Sequence, residues 1–321
     1  MKKFISFMLA MLLVSSLLLS ACTNGGNGDV KEENTEKTFK VGINNFGQAN
    51  FFARIGKDSM EDQIKKNGGE VISTVTADVP SRISAIEDMT SQGVDAIIIQ
   101  EGDIEQAAPA LIEAKNKGII IGSMGAGDAD FVDVYVASDE ALLGQEAAEK
   151  LIEFMGEKGN IVEIFNDAGS MIRIRRQALH DVVENYPDVE VPFGFTYAWP
   201  DFFPDVKSKM EVLIQANPEP GQISGVFATF DGGGVAAATA IREAGLQDSI
   251  VVVGIDGDPE AYQEMRLEDS PFKATMAQDP DTIARLCVDK VFELLKGNEL
   301  PDRVFNVPGI LITQDNIPEE E

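Results

Sequence analysis

The chain has 321 residues, 44% of them hydrophobic, and its 54 acidic side chains outnumber 26 basic ones to give a net charge of -28. A surface that acidic repels phosphate backbones and anionic headgroups, which argues against nucleic acid and anionic lipid as partners. One histidine and two cysteines are poor material for a His/Cys metal centre.

Met1-Lys2-Lys3 makes a short basic start, and Phe4 to Leu19 is an apolar run broken only by serines. Charge, a hydrophobic core and then small residues is the order of a secretory signal, and the run is too short for a membrane-spanning helix. Leu19-Ser20-Ala21-Cys22 resembles the bacterial lipobox, which implies cleavage before Cys22 and acylation of its thiol. The expectation is a signal peptide over 1–21 and a lipidated tether over 22–38, with the protein extracytoplasmic and lipid-anchored to the cell membrane. The tether, rich in Asn, Gly and Glu, carries no apolar periodicity. With Cys22 lipidated, Cys287 has no partner for an intrachain disulfide; beside Leu286 and Val288 it reads as a small core residue. About 280 residues remain, enough for two ordinary domains.

From Phe39 onward, β-rich runs alternate with amphipathic stretches of helical length. The first round predicts strands at 39–45, 70–76, 95–100, 119–124 and 133–138, with helices over 51–69, 80–93 and 105–118 between them. Each of those helices ends in Gly, the usual left-handed stop. The run 95–100, DAIIIQ, is apolar enough to be buried on both faces, as in parallel sheets. A second round follows, with helices over 141–156, 171–187, 204–218, 232–245 and 280–297 and a further short one after 256. Its strands fall at 160–165, 189–197, 223–229, 250–256 and 272–278. This alternation predicts an α/β fold built as two doubly wound parallel-sheet lobes.

Enzyme chemistry finds little support. His180 lies on an amphipathic helix, and no Ser-His-Asp or Cys-His arrangement has natural members elsewhere, so it is expected to be a surface or helix-packing residue. The glycine-rich stretches GSMGAGDAD and DGGGVAAATA lack the phosphate-loop lysine and suit close approach of backbone to a small ligand. No catalytic step and no cofactor is implied; a hydrolase or isomerase is the distant alternative. Polar and aromatic residues instead gather at strand C-terminal ends, in NNFGQANFF, FNDAGSMIRIRR, VFATFDGGG, VVVGIDGD and KATMAQDPD. Open α/β sheets bind ligands there. Carboxylates accept hydroxyl hydrogens, Arg and Gln add directed donors, and rings cover C–H faces; these ingredients suit a sugar or polyol.

Residues 39 to about 315 resemble the type 1 periplasmic sugar-binding proteins, the ribose-binding group of ABC-transporter substrate receptors. QANFF resembles the group's ring-bearing Asn-Pro-Phe-Phe segment, so Phe51 and Phe52 are implied to face the sugar. MIRIRRQAL resembles its Arg-x-Arg helix start, implying Arg173 as the ligand-facing arginine with Arg175 its neighbour. VVVGIDGDPE and KATMAQDPD imply Asp256 as a hydroxyl-binding carboxylate and Gln278 at both hinge and ligand. ASDE, residues 137–140, resembles the group's first crossover. Crossings there, near Gln278 and near Pro308 imply a three-segment hinge joining a lobe of 39–138 plus 279–307 to one of 139–278 plus 308–321.

Two departures change the implied ligand. Ser123-Met124 stands where the group has Asp-Arg, and Phe230-Asp231 where it has Asn-Asp. Buried sugar hydroxyls left unpaired there would cost about 1–3 kcal/mol each, which disfavours D-ribose itself. Another sugar, a shorter polyol or a furanosyl signal of the autoinducer-2 kind fits better. Trp199, the sole tryptophan, or Phe202 is expected to supply a stacking ring. The resemblance implies a monomeric substrate-binding lipoprotein that hands a small sugar or polyol to an ABC permease driven by its ATPase. The alternative is a ligand sensor feeding a chemoreceptor or sensor kinase. A DNA-binding regulator with the same lobes is excluded, because a signal stands where its DNA-binding helices would be.

Overall fold

Side-chain caps set where many of the helices begin. In the computed structural model, which describes residues 37–167 and 169–319, the first run comprises β1 (Lys40–Phe46), α1 (Phe51–Lys66), β2 (Glu70–Thr76), α2 (Val79–Ser91), β3 (Ala96–Gln100), α3 (Ala108–Asn116), β4 (Ile120–Met124) and β5 (Val134–Ser138). There follow α4 (Glu140–Phe154), β6 (Gly159–Phe165), α5 (Ser170–Val183), β7 (Val189–Thr196), α6 (Phe202–Ala216), β8 (Gly225–Ala228), α7 (Asp231–Glu243), β9 (Val251–Asp256), α8 (Pro259–Met265) and β10 (Phe272–Ala277). The chain ends with α9 (Pro280–Leu295), β11 (Val304–Val307) and β12 (Ile310–Thr313). The signal segment, Cys22 and most of the tether lie outside the described residues.

Asn50, Asp139 and Asp279 each accept a backbone N–H in the first turn of α1, α4 and α9, satisfying donors that a helix start leaves unpaired. Asp78 and Ser81 form a reciprocal capping box on α2. The helix expected over 105–118 is split: Asp103 caps a 3-10 turn at Ile104–Ala107, and Pro109 suits the first turn of α3.

The strands form two six-stranded sheets. The first runs β2-β1-β3-β4-β5-β11 and is parallel throughout; the second runs β7-β6-β8-β9-β10-β12, with only β12 antiparallel. Every residue of β3 is buried, because helices cover both sheet faces. On the first sheet, Met60 and Ile64 of α1 pack with Ile283 and Val291 of α9, while Ile86, Met89 and Leu111 fill the opposite face. On the second, Leu151 of α4 and Leu179 of α5 cover one face, and Val206, Ile241 and Met265 cover the other. Both sheets belong to one compact unit from Thr38 onward.

The chain changes sheets after β5, where α4 packs on the second sheet, and after β10, where α9 packs on the first. It changes again between β11 and β12, across Pro308-Gly309. Cys287 is fully buried in the first sheet's helix layer, and burial pushes its thiol up to about 12. Among the described residues no helix is long and apolar enough to cross a membrane.

Candidate functional site

Parallel strands end on the same sheet edge, so loops far apart in sequence meet there. Residues at or beyond the C-terminal ends of β1, β3, β6 and β7 line one cavity between the sheets, among them Phe46, Asn50, Glu101, Met171, Tyr197 and Trp199. The walls touch across it. An added Cβ at Gly47 would stand 3.2 Å from Trp199 Nε1, and one at Gly169 would stand 3.4 Å from the Gly102 carbonyl. At the mouth, Arg173 Nη2 donates to Asp103 Oδ2 at 2.6 Å, joining α5 to the loop after β3.

On the first-sheet side a buried arginine organises the wall. Arg82, 1% exposed, donates from Nε to Asn44 Oδ1 at 2.8 Å, and from Nη1 and Nη2 to the carbonyls of Glu101 and Gln100 at 2.8 and 2.9 Å. Its guanidinium carbon lies 4.6 Å from the centre of the Phe46 ring. Asn45 Nδ2 donates to Gln100 Oε1, whose Nε2 donates to the Ala53 carbonyl at 3.3 Å. These bonds lock the C-terminal ends of β1 and β3 to the start of α1. Asn50 serves twice, accepting from Ala53 N–H at 2.8 Å and donating to Glu101 Oε1 at 3.1 Å. Burial pushes the Glu101 carboxyl up to about 7; Asn50 opposes this and the Asp256 charge adds to it.

On the second-sheet side Arg175, also buried, donates from Nε to Glu140 Oε2 at 2.6 Å and from Nη1 to the Thr229 carbonyl at 2.8 Å and Asp256 Oδ1 at 3.0 Å. Gln278 Nε2 donates to the same Asp256 oxygen at 2.9 Å, while its own Oε1 is buried without a partner among the described residues. Burial would lower the Arg175 pKa, but Glu140 and Asp256 outweigh it and raise it. Burial likewise raises the carboxyls of Glu140 and Asp256 against the pull of Arg175. Asp256 sits at φ +142 and Gly257 at +78, a tight turn whose Gly257 N–H donates to Asp231 Oδ2 at 2.8 Å.

The structure brings Asp256 and Gln278 together and sets Trp199 in the cavity wall. Arg175 is buried and holds Asp256, while Arg173, expected as the ligand-facing arginine, is 45% exposed and bridges Asp103 and Asp167. Two residues along an α-helix is a turn of about 200°, so neighbours at that spacing face opposite ways. Phe52 is 4% exposed inside the first-sheet core, and Phe51, half-buried, opens α1. Ser123 is fully buried, its Oγ donating to the Gly127 carbonyl at 2.7 Å. Asp231 is turned inward, its carboxylate taken by Thr275 Oγ1 and the N–H groups of Gly257 and Asp258. Phe230 is buried behind the wall, 4.5 Å from the Tyr197 ring and 6.4 Å from that of Trp199. Phe202 stacks on Trp199 at 5.6 Å.

Phe46 and Asn50 line the cavity within NNFGQANFF, a segment flagged from sequence though not by residue, and Glu101 and Tyr197 line it without having been singled out. Glu101 and Tyr197 each directly follow a strand, so the same position rule could have flagged them.

The profile described as "Periplasmic binding protein domain" matches residues 41–299. A xylitol-binding protein of Mycolicibacterium smegmatis is 28% identical over 303 residues, 93% of this chain and 82% of the relative. The ribose import binding protein of Bacillus subtilis is 28% identical over 323 residues, covering 98% of this chain and 100% of its own. An ABC transporter solute-binding protein of Agrobacterium vitis, solved with bound allitol, superposes with a TM-score of 0.83 at 26% identity, over 88% of this chain and 97% of that one.

Proposed function

The chain belongs to the periplasmic binding protein family of extracytoplasmic, non-enzymatic solute receptors, and from that premise we propose that it captures a small sugar or polyol for an ABC importer. The observation that supports this reading is the cavity itself. Rings from both sheets, Phe46 on one side and Tyr197 and Trp199 on the other, flank the acceptors of Asn50 and Glu101. Rings cover the C–H faces of a polyol while carboxylate and amide oxygens take its hydroxyl hydrogens. Relatives that bind xylitol and ribose, and one solved with allitol, agree with that chemistry.

In this reading 39–138 plus 279–307 form one lobe, 139–278 plus 308–321 the other, and ligand favours the closed form by touching both. Asp256 and Gln278 carry the ligand's grip into the hinge, with Arg175 holding Asp256 in place. The closed monomer, anchored through acyl chains on Cys22, then delivers its ligand to a membrane permease powered by an ATPase.

A thermal-shift screen of glycerol, xylitol, allitol and D-ribose tests the reading. A ligand that binds only the folded state raises the melting temperature; at a hundredfold excess over Kd the gain is about 2.7 kcal/mol. At least one polyol or sugar is expected to give a saturable shift, and a flat screen would count against the assignment.

A further inference from the structure

Glu101 is the one charged side chain among the described residues lining the cavity, and the fold constrains it closely. Its φ of +54 is uncommon for a residue bearing a Cβ, and the Arg82 bonds to the Gln100 and Glu101 carbonyls hold the backbone in that turn. Asn50 satisfies Oε1, whereas Oε2 is shut off from solvent and has no partner among the described residues. A buried carboxylate oxygen without a donor is costly. A ligand hydroxyl reaching this oxygen would supply the missing donor.

Resting on the sugar or polyol reading above, we propose that Glu101 is the specificity-determining residue of this cleft. Its carboxylate takes hydroxyl hydrogen from an uncharged polyhydroxylated ligand and turns away ligands that carry a carboxylate or phosphate. An ionised carboxylate is an acceptor only, so it pairs with a hydroxyl but repels a second anion at contact distance. The nearby guanidiniums already have acceptors of their own. Arg175 is committed to Glu140 and Asp256, Arg173 to Asp103 and Asp167, and Arg82 to carbonyls behind the wall.

Recognition then depends on pH. The charged and titratable groups around Glu101 are Arg82 of α2, Arg175 of α5, Asp256 of β9, Asp103 on its own loop and Tyr197 after β7. Burial and Asp256 outweigh the arginines, so the carboxyl gains its proton near neutrality. Protonation removes an acceptor, so affinity rises from about pH 6 to about pH 8.

Trp199, the only tryptophan of the chain, lines the same cavity, so its emission reports both occupancy and the charge of Glu101. The full-length protein and Glu101→Gln are titrated with glycerol, xylitol, allitol and D-ribose, and with D-ribonate and a ribose phosphate, at both pH values. At least one neutral compound should saturate the wild type and the anions should not. Glu101→Gln should bind it about tenfold or more weakly, without the pH dependence. Equal affinity and an unchanged pH profile in Glu101→Gln, or preferential binding of an anion by the wild type, would overturn the proposal. Should no neutral compound change the emission, the polyol reading fails, and the unliganded protein then decides for Glu101. Emission titrating near pH 7 in the wild type but not in Glu101→Gln upholds it as the cavity's acceptor; identical titrations overturn it.

Discussion

Arg175 and Glu101 are charged groups set close to the same cavity, and their surroundings differ in kind. Arg175 has three acceptors within 3.0 Å, two of them on carboxylates, so its burial is compensated. Glu101 has one amide donor and a carboxyl pushed up to about 7, above its ordinary 4.5. A raised carboxyl binds its proton more tightly when folded, so its contribution to stability is fully present below about pH 4.5 and is lost as pH rises to about 7. Glu101→Gln should therefore match the wild type below about pH 4 and exceed it near pH 8 by up to about 3 kcal/mol, read from unfolding midpoints across that range. The same substitution weakens the ligand, a trade between stability and function. Sequence alone pointed to strand ends and to Asp256, Gln278 and Trp199. It put Arg173 before Arg175 on the resemblance alone, whereas the partners of each depend on where α5 starts and which face meets the second sheet. Glu101 was hidden for a similar reason: its isolation is created by Arg82 and Asn50, nineteen and fifty-one residues away.

At the level of elements, α4 and α5 pack closely enough to need glycine at their contact. A Cβ on Gly144 would lie 2.8 Å from both the Arg175 carbonyl and the Ala178 Cβ, closer than real contacts allow. Gly144→Ala should push the helices apart and cost about 1–3 kcal/mol, with a lowered urea midpoint at unchanged slope. By drawing Arg175 away from Glu140, the change should also weaken ligand. Strand–helix alternation was plain in the sequence because fully apolar runs such as β3 contrast with two-faced helices. β11 and β12 were not: at four residues each, with mixed burial, they carry too little pattern to separate from loop. Nor did the sequence announce that β12 runs antiparallel, since that follows from the short Pro308-Gly309 link beside it.

For the molecule as a whole, the Arg173–Asp103 pair ties the two sides of the cleft at its rim. Arg173 is 45% exposed, so the pair is screened and worth about 0–1 kcal/mol. Asp103→Asn should shift the lobes toward the open form, enlarging the unliganded radius of gyration in X-ray scattering and weakening ligand by up to about fivefold. Added salt should weaken wild-type binding toward that of the variant.

The path of the chain between sheets bears on how the protein is made. The first sheet draws β1 to β5 from residues 40–138, but its edge strand β11 and the covering helix α9 come from 280–307. The second sheet has all five of its parallel strands by Ala277. As the chain emerges, the half begun earliest lacks the α9 cover of Met60 and Ile64 until nearly the whole polypeptide is out. The later-made half has its five parallel strands before the first gains α9 and β11, and then lacks only its edge strand β12.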